Sequence, residues 1–275
     1  MRVGADDEAA WLAVAYRNAS LVTEVNRRHA DHAQPGTITA GTLTSSSVMP
    51  SLAVRMLRHG QVYPGDDLLV ATGSGYSTAL ATRLLGDTCG TSIDIDPYLT
   101  DVATERLAAI GLRVRVLCAD GTGPLPGTYD RIVSMTAVRP IPPSWLAALR
   151  PGGRLVTVIS GTNLLLTATA TGDGGAEGKI EWERATFIPT LPAEMLPPDQ
   201  QTLIVAVRDH EGEEVARGRY PVGRIIPFGE VTSMLEVVVP GIAHHYEEDG
   251  DGVRTAWMAP PDGSWARPSR ANALA

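Results

Sequence analysis

Residues 68–80, LLVATGSGYSTAL, decide how this chain is read. Leu68, Leu69 and Val70 form an apolar run that ends in the small residues Ala71-Thr72-Gly73-Ser74-Gly75, and a helical run follows over 76–85. That order spells a strand, a tight glycine turn and a helix start. Gly73 and Gly75 carry no Cβ, so the backbone there can approach a ligand, and the N–H groups of the first helical turn face it unpaired. A plain strand-to-helix connection has the same local pattern, so the loop alone leaves both readings open. No Gly-Lys-Ser/Thr follows, which removes a Walker phosphate loop. Thr78 stands where a G-x-G-x-x-G fingerprint needs its third glycine.

The downstream rhythm separates the two readings. Some twenty residues on, Thr91-Ser92-Ile93-Asp94-Ile95-Asp96-Pro97 is a short apolar strand ending in a carboxylate. An acid at the tip of the second strand is placed to accept hydrogen bonds from ribose hydroxyls. A helix over 98–110 closes at Gly111. A third strand over 114–118 ends in Ala119-Asp120-Gly121, and a fourth spans 129–135. A helix over 144–149, the stop Arg150-Pro151-Gly152-Gly153 and a fifth strand over 154–159 complete the alternation. This pattern predicts an α/β fold with a doubly wound, Rossmann-like, mostly parallel sheet. Asp94, Asp120 and Asp130 are expected near strand ends beside the glycine loop, outlining a nucleoside pocket at the carboxyl edge of the sheet.

Composition narrows the class. A chain of 275 residues can bury a large core and hold one such domain plus an appendage. A formal net charge of −8 opposes a nucleic-acid partner, whose phosphates call for a basic surface. The longest apolar runs, 203–207 and 235–239, are too short to span a bilayer. The acidic start MRVGADDEAAW has no apolar signal segment, so a cytoplasmic location is expected. Cys89 and Cys118 are read as two buried free thiols in the sheet.

Three parts are expected along the chain: a helical and polar segment over 1–44, a nucleoside-binding domain over 45–193 and a small β-rich appendage over 194–275. In the first part a helix is predicted over 7–16. Arg27-Arg28-His29-Ala30-Asp31-His32 invites a metal site through His29, Asp31 and His32. A solvated polar loop explains the run better, because no second ligand cluster is visible in the sequence. His244-His245 beside Glu247, Glu248 and Asp249 reads as an acidic surface turn, so no metal is assigned. A helix over 50–58 starts at Pro50 and turns Leu52, Ala53, Met56 and Leu57 toward the sheet. After Ser160 the pattern predicts strands over 163–168, 179–189, 201–208, 234–239 and 255–258, separated by Gly-, Pro- and Asp-rich turns. The first two are expected as an antiparallel pair at the edge of the main sheet. Trp257 and Trp265 are the expected core of the appendage, which has room to cover an acceptor site or form a homodimer contact.

As a set, the pieces ATGSGY, SIDIDP, ADGTGPLPGTYDRIV and IPPSWLAALRPGGRLV resemble class I S-adenosylmethionine methyltransferases, and within them the protein-L-isoaspartate O-methyltransferase group. SSSVMPSLAVRML and PDGSWA resemble actinobacterial paralogues associated with the maturation of ribosomally made peptides. Paralogues of that kind continue beyond PDGSWA with a further segment. The resemblance implies S-adenosylmethionine as cofactor and S-adenosylhomocysteine as product. Ala71, Gly73 and Gly75 then line the methionine part, with Thr72 and Ser74 in the same loop. Asp94 holds the ribose hydroxyls with Ile95 beside it, and Asp120 holds the adenine amino group with Gly121 beside it. Asp130 and its strand border the acceptor entrance, for which Ser45, Ser46, Ser47, Val48 and Tyr76 are further candidates.

Two departures from the family pattern matter. The acid that precedes the glycine loop is replaced by Leu69-Val70, which implies weaker cofactor binding and a more mobile loop. The family's Ser-Gln-Pro acceptor loop reads Val48-Met49-Pro50, which argues against ordinary isoaspartate repair. Tyr76 and His59 are candidate bases, each better explained by packing or surface exposure, and no catalytic residue is assigned. A carboxylate acceptor, ionised near neutral pH, needs no base. Three readings therefore stand: methylation of a peptide aspartate leading to an aspartimide, methylation of a small molecule, and a non-enzymatic relative of the fold.

Overall fold

The computed structural model describes residues 7–34, 36–71, 73–86, 90–190, 200–213, 222–225 and 229–270. The chain forms two compact units. One holds residues 1–159 and 165–190, the other residues 160–164 and 191–275.

The first unit opens with α1 (Glu8–Ala15), capped by the Asp7 carboxylate, which accepts the N–H of Ala10 at 2.9 Å. A three-stranded antiparallel sheet follows, built from β1 (Leu21–Val25), β2 (Arg28–His29) and β3 (Leu43–Ser47) in the order β2-β1-β3. The polar loop expected over 27–32 is therefore corrected to a short strand and a 3-10 turn (Ala30–His32). Helix α2 (Pro50–His59) buries Leu52, Ala53, Met56 and Leu57, the apolar stripe seen in the sequence.

The alternating segment folds as expected. In chain order it comprises β4 (Leu68–Ala71), α3 (Tyr76–Leu85), β5 (Gly90–Asp94), α4 (Pro97–Ala109), β6 (Arg115–Cys118), β7 (Tyr129–Val138), α5 (Pro143–Ala148), β8 (Leu149–Ile159), β9 (Leu164–Ala170) and β10 (Ala176–Arg184). Seven strands form one sheet in the order β10-β9-β8-β7-β4-β5-β6, and β4 to β8 pair in parallel. Only a few residues join β8 to β9 and β9 to β10. A parallel crossover needs a dozen or more residues, so these are hairpins and the edge is antiparallel.

Strand periodicity sorts the core onto two faces. Leu68, Val70, Val133, Val156 and Val158 pack with α2 in one cluster. Their neighbours Leu69, Ile132 and Leu155 pack with Trp145 and Ala148 of α5 in another. Both faces are covered, which is why the strands read as unbroken apolar runs. Cys118 departs from expectation: it is exposed, its thiol 3.6 Å from the Ile95 carbonyl, because β6 is the edge strand. Cys89 lies outside the described residues.

The second unit holds α6 (Gln200–Arg208), α7 (Glu230–Val238) and an antiparallel sheet of β11 (Ala243–Glu248), β12 (Arg254–Ala259) and β13 (Ser269–Arg270). Two segments expected as strands, 201–208 and 234–239, are corrected to helices. In α6 the buried residues are Ile204 and Val207, three apart, on one helical face with half-buried Leu203. Strand alternation would put Ile204 and Val207 on opposite faces. Trp257 and Trp265 join this cluster, as expected. His244 and His245 lie within β11, and the acidic turn begins only at Asp249, whose Oδ1 accepts the N–H groups of Asp251 and Val253.

Candidate nucleoside site

The strand order reverses between β4 and β7, and β4 feeds the glycine loop at that point. Ligands of open α/β sheets bind in the crevice such a reversal leaves at the carboxyl ends of the strands. Gly73 has φ +48 and Gly75 φ +84, both in the left-handed region, and Gly75 is the N-cap of α3. A Cβ at Gly75 would lie 3.3 Å from the Ala103 Cβ, so α4 packs directly against the loop. A Cβ at Gly73 would lie 3.7 Å from the Ser46 carbonyl oxygen, which places β3 beside it.

Asp94 ends β5, and its two oxygens are divided. Oδ2 accepts the N–H of Gly73 at 2.9 Å, and Oδ1 accepts the N–H of Asp96 at 3.0 Å. Burial raises the Asp94 carboxyl above its ordinary range. The nearby Asp96 charge adds to this, and the backbone N–H groups of Asp96, Gly73 and Ile95 oppose it. The Gly73 bond gives the loop an anchor even though Leu69 and Val70 replace the acid expected before it. Both of those side chains are buried in the core, on opposite faces of the sheet.

The neighbouring strand end completes the edge. Ile95 follows Asp94 and is 62% exposed, an apolar surface at the rim. Oδ1 of exposed Asp120 accepts the N–H and hydroxyl of Thr122 at 2.8 and 2.7 Å, so neither bond uses Oδ2. The Gly121 carbonyl accepts the Trp145 indole N–H at 2.6 Å, and a Cβ at Gly121 would lie 3.4 Å from Ile93 Cδ1. Ala71, Gly73, Ser74, Gly75, Asp94, Ile95, Asp120 and Gly121 thus come from consecutive strand ends on one edge. Thr72 lies outside the described residues.

Asp130 does not join them, contrary to expectation. It sits near the start of β7, where Arg131 pairs with Leu68, and so at the opposite edge of the sheet. There it accepts the N–H of Asp67 at 2.9 Å and the Arg150 guanidinium at 2.7 Å, and Arg150 also holds Asp67 at 2.6 Å. Partial burial pushes the Asp130 carboxyl up. The Asp67 N–H and the Arg150 and Arg131 charges outweigh this and hold it below the ordinary range. Its role is to tie strand starts together.

The other acceptor candidates divide. Val48 is buried in the core and exposes no group. Ser45 is buried, with its hydroxyl accepting that of Thr23 at 2.9 Å. Ser46 and Ser47 are half-buried, and Ser46 borders the loop. Tyr76 packs against the core beside α2. His59 lies 2.7 Å from Glu183 of β10, so it is held at the antiparallel edge.

One feature escaped the sequence reading. Val133 pairs with Val156 and Ala137 with Val158, so β7 carries two extra residues across Ser134-Met135-Thr136. The bulge follows Val133, which pairs with Val70, and so lies at the level of the glycine loop. The Ser134 and Thr136 hydroxyls sit 2.8 Å apart within it. Bulges re-aim side chains and recur next to active sites. A signal was present: the polar residues Ser134 and Thr136 interrupt the apolar run 132–138.

Fold and strand-edge site together define a Rossmann-like methyltransferase fold. The family model "Protein-L-isoaspartate(D-aspartate) O-methyltransferase (PCMT)" matches residues 9–194, and the chain belongs to that family. A protein-L-isoaspartate O-methyltransferase 1 of Nitrosococcus oceani is 38% identical over 130 residues, covering 45% of this chain and 59% of the relative. A protein-L-isoaspartate O-methyltransferase of Pyrococcus horikoshii is 30% identical over 179 residues, covering 62% and 79%. The chain thus spans about three fifths of the first relative's length and more of the second's. A solved protein-L-isoaspartate O-methyltransferase aligns with TM-score 0.54 at 18% identity, covering 95% of this chain and 77% of that one. Among the described residues no helix is long and apolar enough to cross a membrane.

Proposed function

We propose that the protein is an S-adenosylmethionine-dependent methyltransferase whose acceptor is a polypeptide carboxylate. The observation that carries this is the Gly73 to Asp94 hydrogen bond at the sheet's reversal point, in a chain of this family. The residues present fit the cofactor. The glycine turn leaves no side chain between backbone and ligand, and Asp94 is a carboxylate at a strand tip, suited to two ribose hydroxyls. Exposed Ile95 offers an apolar face to the adenine ring, and Asp120 a carboxylate to its amino group.

When bound, the cofactor supplies an electrophilic methyl group together with its leaving group. The chain's own work is then to align the acceptor in line and exclude water. Ser46, beside Gly73, and the half-buried Thr136 of the bulge, at the level of the glycine loop, offer polar groups to an incoming carboxylate. That acceptor is already ionised near neutral pH and needs no base. Of the two candidate bases, His59 is paired with Glu183 of β10, which favours a carboxylate acceptor that needs no base over an amine or phenol.

The finer reading is an aspartate of a ribosomally made, conformationally constrained peptide. Its methyl ester is attacked by the backbone nitrogen of the following residue. A C–N bond forms, the ester C–O bond breaks and methanol leaves with the amide proton, so the peptide has lost one water overall. Support comes from the family kinship and from Val48, which replaces the acceptor-loop serine and is buried in the core. A constrained peptide also loses little ordering entropy on binding.

Calorimetry with S-adenosylhomocysteine tests the cofactor assignment. One site is expected, weakened by about 1.5–3 kcal/mol in Asp94→Ala, the worth of hydrogen bonds to a charged group. Unchanged affinity would overturn it. Mass spectrometry tests the acceptor: a constrained precursor should gain one methyl and then show net loss of water. Turnover of a generic isoaspartyl peptide alone would return the protein to repair.

A further inference from the structure

Glu24, on β1, is 3% exposed, and its Oε1 is buried with no hydrogen-bond partner. A buried carboxylate oxygen left without a donor is costly, so something must offset it. Directly across the β1–β2 ladder stands His29, whose Nδ1 is also buried without a hydrogen bond. Glu24 Oε2 faces that nitrogen at 3.7 Å. Asp96 approaches the other side of the ring, with Oδ2 3.3 Å from Nε2. Its Oδ1 is already used as the N-cap of α4, accepting the N–H groups of Tyr98 and Leu99 at 2.8 and 3.4 Å. The helix cap thus fixes Asp96 so that one oxygen points at the imidazole, and Tyr98 stacks on His29 with ring centroids 4.2 Å apart.

We propose that Glu24, His29 and Asp96 bind one divalent metal ion, with zinc the ion that fits a donor set of one imidazole nitrogen and two carboxylate oxygens. Each residue can present one ligand atom such that all three lie within 4.8 Å of one another. Tetrahedral ligands at about 2.0–2.1 Å from zinc stand about 3.4 Å apart. Asp96 Oδ2 is at that spacing from Nε2 already, and the Glu24 carboxylate, within 4.8 Å, has to close by up to about 1.4 Å toward a nitrogen shared with Asp96. Two carboxylates beside a neutral imidazole carry two negative charges, which a divalent ion cancels and a single proton on His29 does not. Water completes the coordination.

The site uses His29 but not the neighbours its sequence suggests. Asp31 is held by Arg106 at 2.8 Å and by the Tyr98 hydroxyl at 3.1 Å, and His32 packs on the Tyr98 ring. The ligands instead come from three segments that the fold brings together. The ion would pin the N-terminal sheet to the start of α4.

Titration of the chelator-treated full chain with zinc chloride tests this. One ion per chain is expected, with a rise in Tm, and both His29→Ala and Glu24→Gln should weaken binding at least tenfold and abolish the rise. Glu24→Gln keeps the side chain's size and removes a buried charge, so it decides the matter should His29→Ala fail to fold. Absence of stoichiometric uptake, or equal affinity in Glu24→Gln, would overturn the proposal. The latter result would place zinc on other pairs such as half-buried His245 and Glu247.

Discussion

At the scale of single residues, Asp94 and Asp130 show how one residue type serves opposite ends of a sheet. Both are aspartates in parallel strands, yet Asp94 ends its strand and Asp130 precedes most of its own. Strand direction alone separates a carboxylate at the glycine-loop edge from an ion-paired one at the opposite edge. Gly75 supplies the sharper test. Its φ of +84 and the 3.3 Å approach of Ala103 leave no room for a methyl group without strain. Gly75→Ala should destabilise the fold by about 1–2 kcal/mol for the left-handed residue, plus the cost of displacing α4. Denaturant unfolding measures the loss, and S-adenosylhomocysteine affinity should fall with it. A variant with native stability and affinity would mean that the loop does not depend on this turn.

At the scale of elements, QQTLIVAVR of α6 reads as a strand in sequence because it is rich in β-branched residues and too short to display helical periodicity against strand alternation. Only burial decides, since Ile204 and Val207 face the tryptophan cluster while Val205 is 65% exposed. Ile204→Ala should cost about 2–4 kcal/mol in thermal or denaturant unfolding, as a large-to-small change in a core. Val205→Ala should be neutral or slightly stabilising, because alanine is the better helix former. A strand would put Val205 and Val207 on the same face, so comparable losses at those two positions would contradict the helix.

At the scale of the whole molecule, acid sensitivity should trace in part to the Asp67–Arg150–Asp130 tie at the strand starts. The folded state holds Asp130 below the ordinary carboxylate range of about 3.9. Its contribution is therefore complete above the unfolded value and is lost as the pH falls through the lower folded value. The effect is modest because the Arg150 side chain is 40% exposed and screened. Asp130→Asn should lower Tm at neutral pH, with the gap to the parent closing as the pH drops below about 4. A constant gap across that range would assign the loss to packing instead of charge.

What the residues alone determined about this protein is whatever local order encodes. Apolar runs, the glycine loop and the acid ending the second strand marked the alternating strands and helices, and with them the glycine-loop edge of the sheet, because each signal lies within one strand-turn-helix unit. The family followed from the same pieces. Tertiary structure decided the rest. The β7 bulge at Ser134–Thr136 is a mismatch with β8, and the partners of His29 come from β1 and the start of α4. The helical state of 200–208 depends on the cluster it covers, and the burial of Val48 on α2 and the sheet beside it. Each depends on contacts between segments distant in sequence, where side-chain burial and pairing outweigh local propensity.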